Sequence, residues 1–399
     1  MIFYSKIRKA INEGGIQLVL RRAHMKIKSQ FARIGYIQNV THRLTGHLPS
    51  VDVHFSPLTQ VSQNDIRIAE RILRAFRKAQ KDECKNITGD LWDNIQREQH
   101  SDFYAICDDP TKVAEYMNNM NQHGITFGMS SGTLPEYLAM VKNPVIRQEW
   151  GVYVKDTMVC LAEAVGAIPR NIDGGNLYLD EKILLKSIEE KIGISIIPSE
   201  IEGGLYTLRI NNRSFGSRDF WSVYIAWKVH QIGGSDASVA EIGGGIGKTA
   251  LYANQFGIKN YSIYDLPIIN LVQAWFLIKS GIDVVLCGEG GNGMKIMPYW
   301  EFEKGSFDVT LNADSFPEMD GSIVAGYLKT IRKNTRKYLL SINRENGGEY
   351  GDGHTHIRVP DIVEDVGGLR RIHRSPFWFL WNYVEELYEV NYISKRPLT

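Results

Sequence analysis

The stretch SVAEIGGGIG, Ser238 to Gly247, sets the reading of the whole chain. An apolar run beginning at Val239-Ala240 leads through Glu241 and Ile242 into glycines at 243, 244, 245 and 247. Lys248 to Phe256 then has the composition of a helix. A buried strand, a tight turn and a helix start are expected here. Glycines in such a turn let backbone N–H groups at a helix N-terminus come close to a ligand, because no Cβ intervenes. The dinucleotide pattern G-x-G-x-x-G is not met, since its third glycine position, counted from Gly243, falls on Lys248. What stands here is E-x-G-x-G-x-G.

Asn260 to Tyr264, NYSIY, is a second strand candidate and ends at Asp265. An acid about twenty residues past a glycine turn, at the end of the next strand, is placed to bind a ribose diol. A carboxylate accepts from both hydroxyls, and each such charged hydrogen bond is worth roughly 1.5–3 kcal/mol. Downstream, strands are expected at Val284 to Cys287, Phe307 to Asn312 and Lys337 to Asn343, with helices at Pro267 to Ser280 and Ile323 to Asn334. That alternation predicts a parallel sheet with helices on both faces, and ligands at the carboxyl ends of its strands. Pro376 to Tyr383, PFWFLWNY, is expected to give a last helix, and Leu387 to Ile393 an edge strand.

Glu241, Gly243, Gly245, Gly247 and Asp265-Leu266-Pro267 together resemble the S-adenosylmethionine (SAM)-dependent methyltransferase superfamily. Asn312 to Met319, NADSFPEM, with the Ser375 to Trp378 segment and Arg218 to Val229, is similar to the sugar O-methyltransferase family, which acts in polysaccharide and glycosylated-metabolite pathways. The resemblance covers about the last 190 residues. It implies a Rossmann-like class I methyltransferase sheet, SAM as cofactor and a sugar hydroxyl as acceptor. It further implies that Glu241, Gly243, Gly245, Gly247, Asp265, Leu266, Glu289 and Asn312 hold the cofactor, with Glu289 beside the adenine. A scaffold that keeps the fold without turnover is the alternative, and a nicotinamide oxidoreductase is disfavoured by Lys248.

Composition limits the field. A chain of 399 residues with net charge +1 and 43% hydrophobic residues gives no global attraction to nucleic acid. Four scattered cysteines suggest neither a disulfide framework nor a zinc site. With no signal-peptide core and no stretch long enough to span a bilayer, a soluble cytoplasmic protein is expected. The sequons at Asn39, Asn86 and Asn212 matter only in a secreted protein.

Before Gly234 the pattern is mainly helical, and the domain boundary is placed there: 1–234 as the acceptor-pocket and oligomer region, with a homodimer contact, and 235–399 as the SAM domain. Met1 to Phe31 is basic and reads as a solvated helix-loop-helix or as a peripheral contact with an anionic membrane. Helices are expected over Asp65 to Lys81 (capped by Asn64), Pro110 to Gln122, Lys155 to Val165 and Lys182 to Gly193. Asn171 to Asn176 reads as a turn, and Ile194 to Pro198 with Leu205 to Ile210 as a strand pair.

A sugar hydroxyl is a poor nucleophile, so a general base is worth roughly 10²–10⁴-fold. Candidates are Asp314 and Glu318 after the fourth strand, and His354 and His356 in the loop GGEYGDGHTH after the fifth. A loop histidine oriented by a strand-four acid is the expected base, His354 ahead of His356, because imidazole titrates near working pH. Each also has a structural alternative: Asp314 as a helix cap, Glu318 as a turn support, the histidines as solvated loop residues. Asp352, His354 and His356 have the residue types of a divalent-metal site, yet magnesium prefers oxygen ligands, and no metal residue is assigned. His373, beside Arg370, Arg371 and Arg374, reads as basic surface or subunit contact.

Overall fold

The computed structural model describes residues 52–55, 60–82, 100–126, 128–129, 137–138, 141–168, 176–201, 206–345, 347–349 and 355–390. The basic segment Met1 to Phe31, the sequons at Asn39 and Asn86, nearly all of the Asn171 to Asn176 turn, Asp352 and His354 lie outside them. The chain divides into two compact units, residues 1–50 with 348–355, and residues 51–347 with 356–399. Every labelled element below belongs to the second.

The N-terminal elements are mainly helical. Helix α1, Gln63–Asp82, puts Ile68, Ala69, Ile72, Leu73 and Phe76 on one buried stripe. Its cap is Ser62 rather than Asn64. The Ser62 backbone N–H donates to Asp65 Oδ2 (2.9 Å) and the Asp65 N–H to Ser62 Oγ (3.2 Å), a reciprocal capping box. Burial raises the Asp65 carboxyl, but Lys279, Ser62 and Asn118 outweigh it and bring it to about 2. Helix α2, Pro110–Asn118, is capped by Asp109 and stops short of Gln122, whose last turn is a separate 3₁₀ turn. Helix α3, Pro144–Val165, starts eleven residues before the expected Lys155. Helix α4 spans Glu181–Ile192 and ends on the left-handed Gly193. A small antiparallel sheet joins β1 (Val53–Phe55), β2 (Tyr206–Ile210) and β3 (Arg213–Phe215). Thus β2 pairs with Val53–Phe55 and not with Ile194 to Pro198, which forms no strand.

After helix α5, Asp219–Gly233, comes the main sheet. Its strands are β4 (Val239–Ile242), β5 (Tyr261–Asp265), β6 (Val284–Leu286), β7 (Met294–Pro298), β8 (Phe307–Ala313), β9 (Thr335–Arg344), β10 (Leu369–Pro376) and β11 (Tyr383–Val390). Their order is β10-β11-β9-β8-β4-β5-β7-β6. Strands β6 to β9 run parallel with β4 and β5, whereas β11 is antiparallel to β9 and β10 to β11. This is a Rossmann-like, mostly parallel sheet, with a helical N-terminal region.

Alternation along each strand builds two layers. Val239, Ile263, Leu311 and Ile342 face the core shared with α5, α6 (Lys248–Gln255) and α7 (Pro267–Lys279). Ala240, Ile242, Tyr264 and Leu339 face Val324 and Leu328 of α8 (Gly321–Asn334) and Val363 of α9 (Val359–Val366).

The strand expected at Val284 to Cys287 forms as Val284–Leu286, and β7, which the sequence reading does not include, lies between it and β5. Two expectations at the other edge are corrected. Pro376 to Tyr383 is not a helix: residues 377–382 form a tight connection between two strands, and β11 is an inner strand while β10, whose His373 and arginines were read as basic surface or subunit contact, is the edge. The aromatic periodicity there belongs to a turn anchored in the core, with Phe377 and Phe379 only 2% and 6% exposed.

Candidate functional site

The sheet changes direction of progression at β4: β5 lies on one side and β8 on the other. A crevice is expected at the carboxyl ends of strands at such a point. A cavity opens there, with about 1140 Å³ of open space when the adjoining solvent is included. Its walls come from the glycine turn 243–246, from Asp265-Leu266 after β5, from Tyr299 after β7 and from Asp314, Ser315 and Glu318 after β8.

The glycine turn is shaped by its neighbours. Gly243 has φ +70°, and a Cβ placed on it would lie 2.2 Å from Ser315 Oγ. Ser315 is itself fixed: it accepts from Asn312 Nδ2 (2.5 Å) and donates to the Ile242 carbonyl (3.1 Å). Asn312 is fully buried and also donates to Ile242 (3.0 Å) while accepting from Asn343 Nδ2 (3.0 Å). It therefore ties β4, β8 and β9 together beneath the cavity instead of lining it.

Two acids form the floor. Glu241 is 2% exposed and accepts from the Tyr261 hydroxyl (2.9 Å). Burial pushes its carboxyl up to about 7, against the pull of the Tyr261 donor. Asp265 accepts from the Leu266 N–H (2.8 Å) and from Gln273 Nε2 (2.8 Å). The same Gln273 nitrogen donates to the Gly245 carbonyl (2.9 Å), so one side chain holds the acid and the turn in register. Burial raises Asp265 to about 7 despite these donors. Among the described residues neither acid has a cation against it, so each keeps capacity for further donors.

Lys248, first residue of α6, lines the cavity but is committed to Asp219 (2.9 Å), which also accepts from the Tyr252 hydroxyl (2.6 Å) and the Gly216 N–H (2.5 Å). The far wall comes from before Gly234. Arg218 donates to the Gly128 carbonyl (2.7 Å) and lies over the Trp221 ring at 5.1 Å, and Gly128, Met129, Arg218 and Trp221 all face the cavity.

Of the sequence-derived set, Glu241, Gly243, Gly245, Asp265, Leu266, Asp314 and Glu318 meet at this cavity. Gly247 caps α6 just behind it with φ +98°. Glu289 is elsewhere, after the outer strand β6, paired with Arg71 of α1 at 2.7 Å. Tyr299 occupies the place after β7 that Glu289 was expected to fill. Asp314 is left-handed (φ 62°), accepts from the Tyr383 hydroxyl and lies 3.6 Å from Arg344. His356 stands in the short strand Thr355–His356. Among the described residues no group of three or more histidines, cysteines or acids could hold a metal, and no helix is long and apolar enough to cross a membrane.

Sequence reasoning passed over Tyr299, Lys248 and the wall from Gly128, Met129, Arg218 and Trp221. Tyr299 was reachable, since it ends a strand-like MKIMP run after a glycine cluster. The far wall carries no local signal, because it meets the glycine turn only through packing.

No family model matches the chain, and no curated protein matches it. Similar solved structures include a glycopeptide N-methyltransferase, MtfA, complexed with S-adenosylhomocysteine: 12% identity, 43% of this chain and 90% of that one, TM-score 0.31. A ribosomal protein L11 methylase from Lactobacillus delbrueckii subsp. bulgaricus shares 8% identity over 44% of this chain and 80% of that one, TM-score 0.31. An O-methyltransferase family protein from Burkholderia thailandensis shares 14% over 43% and 59%, TM-score 0.30. The chemistry has therefore to be drawn from the chain's own residues.

Proposed function

We propose that the chain is a SAM-dependent O-methyltransferase that methylates a sugar hydroxyl. The observation that carries this is Asp265, a carboxylate at the cavity floor that meets no cation among the described residues and is held by Gln273 to the same glycine turn that a nucleoside would approach. Asp265 would accept from the two ribose hydroxyls, the 243–246 turn would admit the ligand close to backbone N–H groups, and Leu266 and Tyr299 would cover the faces of the adenine. The bound cofactor supplies a methyl group on a sulfonium sulfur. The protein's task is then alignment and proton removal, and alignment alone is worth several kcal/mol. Asp314, engaged by Tyr383 and Arg344, orients the wall after β8. We assign proton removal to Glu318, which faces the cavity on the same side, with His354 and His356 as the rival candidates from the loop after β9. Arg218 and Trp221 on the opposite wall would meet the acceptor. A homodimer and a cytoplasmic setting belong to the same proposal.

Calorimetry tests it. SAM and S-adenosylhomocysteine should bind the full chain and NAD should not. Asp265→Ala should weaken SAM by roughly 1.5–3 kcal/mol, about 10- to 150-fold, through loss of the charged hydrogen bonds. Unchanged SAM affinity in folded Asp265→Ala would overturn the placement. Transfer of a labelled methyl group to a panel of glycosides tests the acceptor class.

A further inference from the structure

Trp378 and Trp381 are 75% and 88% exposed, the most exposed large apolar side chains among the described residues. A tryptophan is ordinarily mostly buried, and exposed aromatic surface of this kind marks a contact site. The two rings are not on a loose loop. Phe377 between them and β10 packs against Trp221 (6.0 Å) and Tyr224 (5.8 Å), and Phe379 against Tyr224 (5.1 Å). The backbone closes on itself through Phe377 N–H to Tyr383 C=O (2.9 Å) and Leu380 N–H to Phe377 C=O (3.2 Å), and the Cys160 thiol reaches the Trp378 carbonyl (3.5 Å). Tightly held on both sides, the two indoles are presented outward on a rigid turn.

That turn sits at the carboxyl edge of the sheet. Tyr383, the first residue of β11, is opposite Arg344, the last of β9. Its two ends touch cavity residues directly: Phe377 meets Trp221, and the Tyr383 hydroxyl donates to Asp314. The exposed rings thus stand on a turn whose two ends contact residues that line the cavity.

The surroundings decide among ligands. The adjacent arginines of β10 are already neutralised: Arg370 by Glu389, Arg371 by Glu386 (2.9 Å), Arg374 by Glu386 (2.6 Å) and Glu345. Among the described residues the β10 arginines therefore leave no excess positive charge of their own to draw an anionic lipid surface. Two indoles offer about 150–250 Å² each, below the roughly 800 Å² per partner of a stable protein interface. A ligand that fits is uncharged, with a flat face of C–H groups and a rim of hydroxyls, which describes a pyranose ring. We propose that Trp378 and Trp381 are a stacking platform for a neutral pyranose of the acceptor, which holds the saccharide against the cavity mouth. The proposal rests on the methyl-transfer function assigned to the neighbouring cavity.

The test uses the full chain, its tryptophan emission, and three neutral hexasaccharide probes: maltohexaose, cellohexaose and mannohexaose. At least one should shift the emission saturably, Trp378→Ala/Trp381→Ala should weaken that binding tenfold or more, and Trp378→Tyr/Trp381→Tyr should recover part of it. SAM affinity by calorimetry should stay within twofold in both variants, which also shows that they fold. The platform is refuted if none of the three saccharides binds in the millimolar range, or if one binds the double alanine variant as well as the parent. It is equally refuted if the rings instead mediate co-sedimentation with phosphatidylcholine vesicles or a concentration-dependent dimer. Saccharide binding without any SAM binding by the parent would leave the platform and remove the methyl-transfer function; SAM binding without saccharide binding would do the reverse.

Discussion

Gly243→Ala concentrates the mechanics of the site in one methyl group. The backbone there is left-handed at φ +70°, a region that costs a residue with a Cβ about 1–2 kcal/mol. The new Cβ would also lie 2.2 Å from Ser315 Oγ and 2.4 Å from Ser315 Cβ. Ser315 cannot swing away freely, because its hydroxyl bridges Asn312 and the Ile242 carbonyl. Relief of such overpacking costs about 1–3 kcal/mol. The expected loss is therefore about 2–5 kcal/mol, a fall in Tm on the order of 3–7 °C for a compact unit of this size. A second substitution separates the two terms. With Ser315→Gly present, the nearest remaining Ser315 atom is its Cα at 3.9 Å, an ordinary contact. The Gly243→Ala/Ser315→Gly pair should then show a favourable coupling of about 1–3 kcal/mol, with the dihedral strain left over. Urea denaturation of the parent, both single variants and the double variant measures all four corners. A single-variant loss below about 1 kcal/mol, or a coupling indistinguishable from zero, would refute the account of how Ser315 shapes the turn.

Other outcomes follow from the same geometry. Burial raises Asp265 to about 7, and ligand hydroxyls favour its ionised form, so SAM affinity should rise with pH from 6 to 8 and Asp265→Asn should flatten the profile in calorimetry. Glu241, also raised to about 7 from 4.5, holds an extra proton in the folded state between those values; its contribution is present below about 4.5 and lost as pH rises through 7. Glu241→Gln should therefore gain stability over the parent between pH 5 and 8, read as a widening difference in Tm. Asp219→Asn removes the carboxylate paired with the buried Lys248 at 2.9 Å and should lower stability, read by denaturation. Glu289→Ala should leave SAM affinity within twofold while Tyr299→Ala weakens it, and the opposite result would move the adenine to the outer strand. Single-turnover rates for Glu318→Gln, His354→Ala and His356→Ala should fall furthest for Glu318→Gln.

What the sequence disclosed and what it withheld divide along a physical line. The β4 strand, the glycine turn and Asp265 are written within thirty residues, where period, turn chemistry and spacing all agree. The same holds for β8 with Asp314 and Glu318. The strand at Val284 to Cys287 is legible and forms, but MKIMP, a second short apolar run beside a glycine cluster, is not distinguished from the loop, and only pairing shows that it lies between VVL and β5. The aromatic run at 376–383 has the composition of a buried helix, but it is Phe377 and Phe379 that anchor a turn in the core. Helix α1 was legible but its role was not: Asp65 meets Lys279 and Arg71 meets Glu289 more than two hundred positions away. No local pattern encodes such a meeting.

The position of β11 has a consequence for how the molecule reaches its native state. It is inserted between β9 and β10, so the six parallel strands can assemble with β9 still open along one side. An intermediate of that kind presents the unpaired rim of Leu339, Leu340 and Ile342 to any other extended segment it meets. Pairings this distant in sequence close slowly, and partly assembled sheets with open rims are the species that aggregate. Refolding yield should therefore depend on protein concentration, and a peptide copying residues 383–390 should compete for the open rim during refolding while leaving the finished protein untouched.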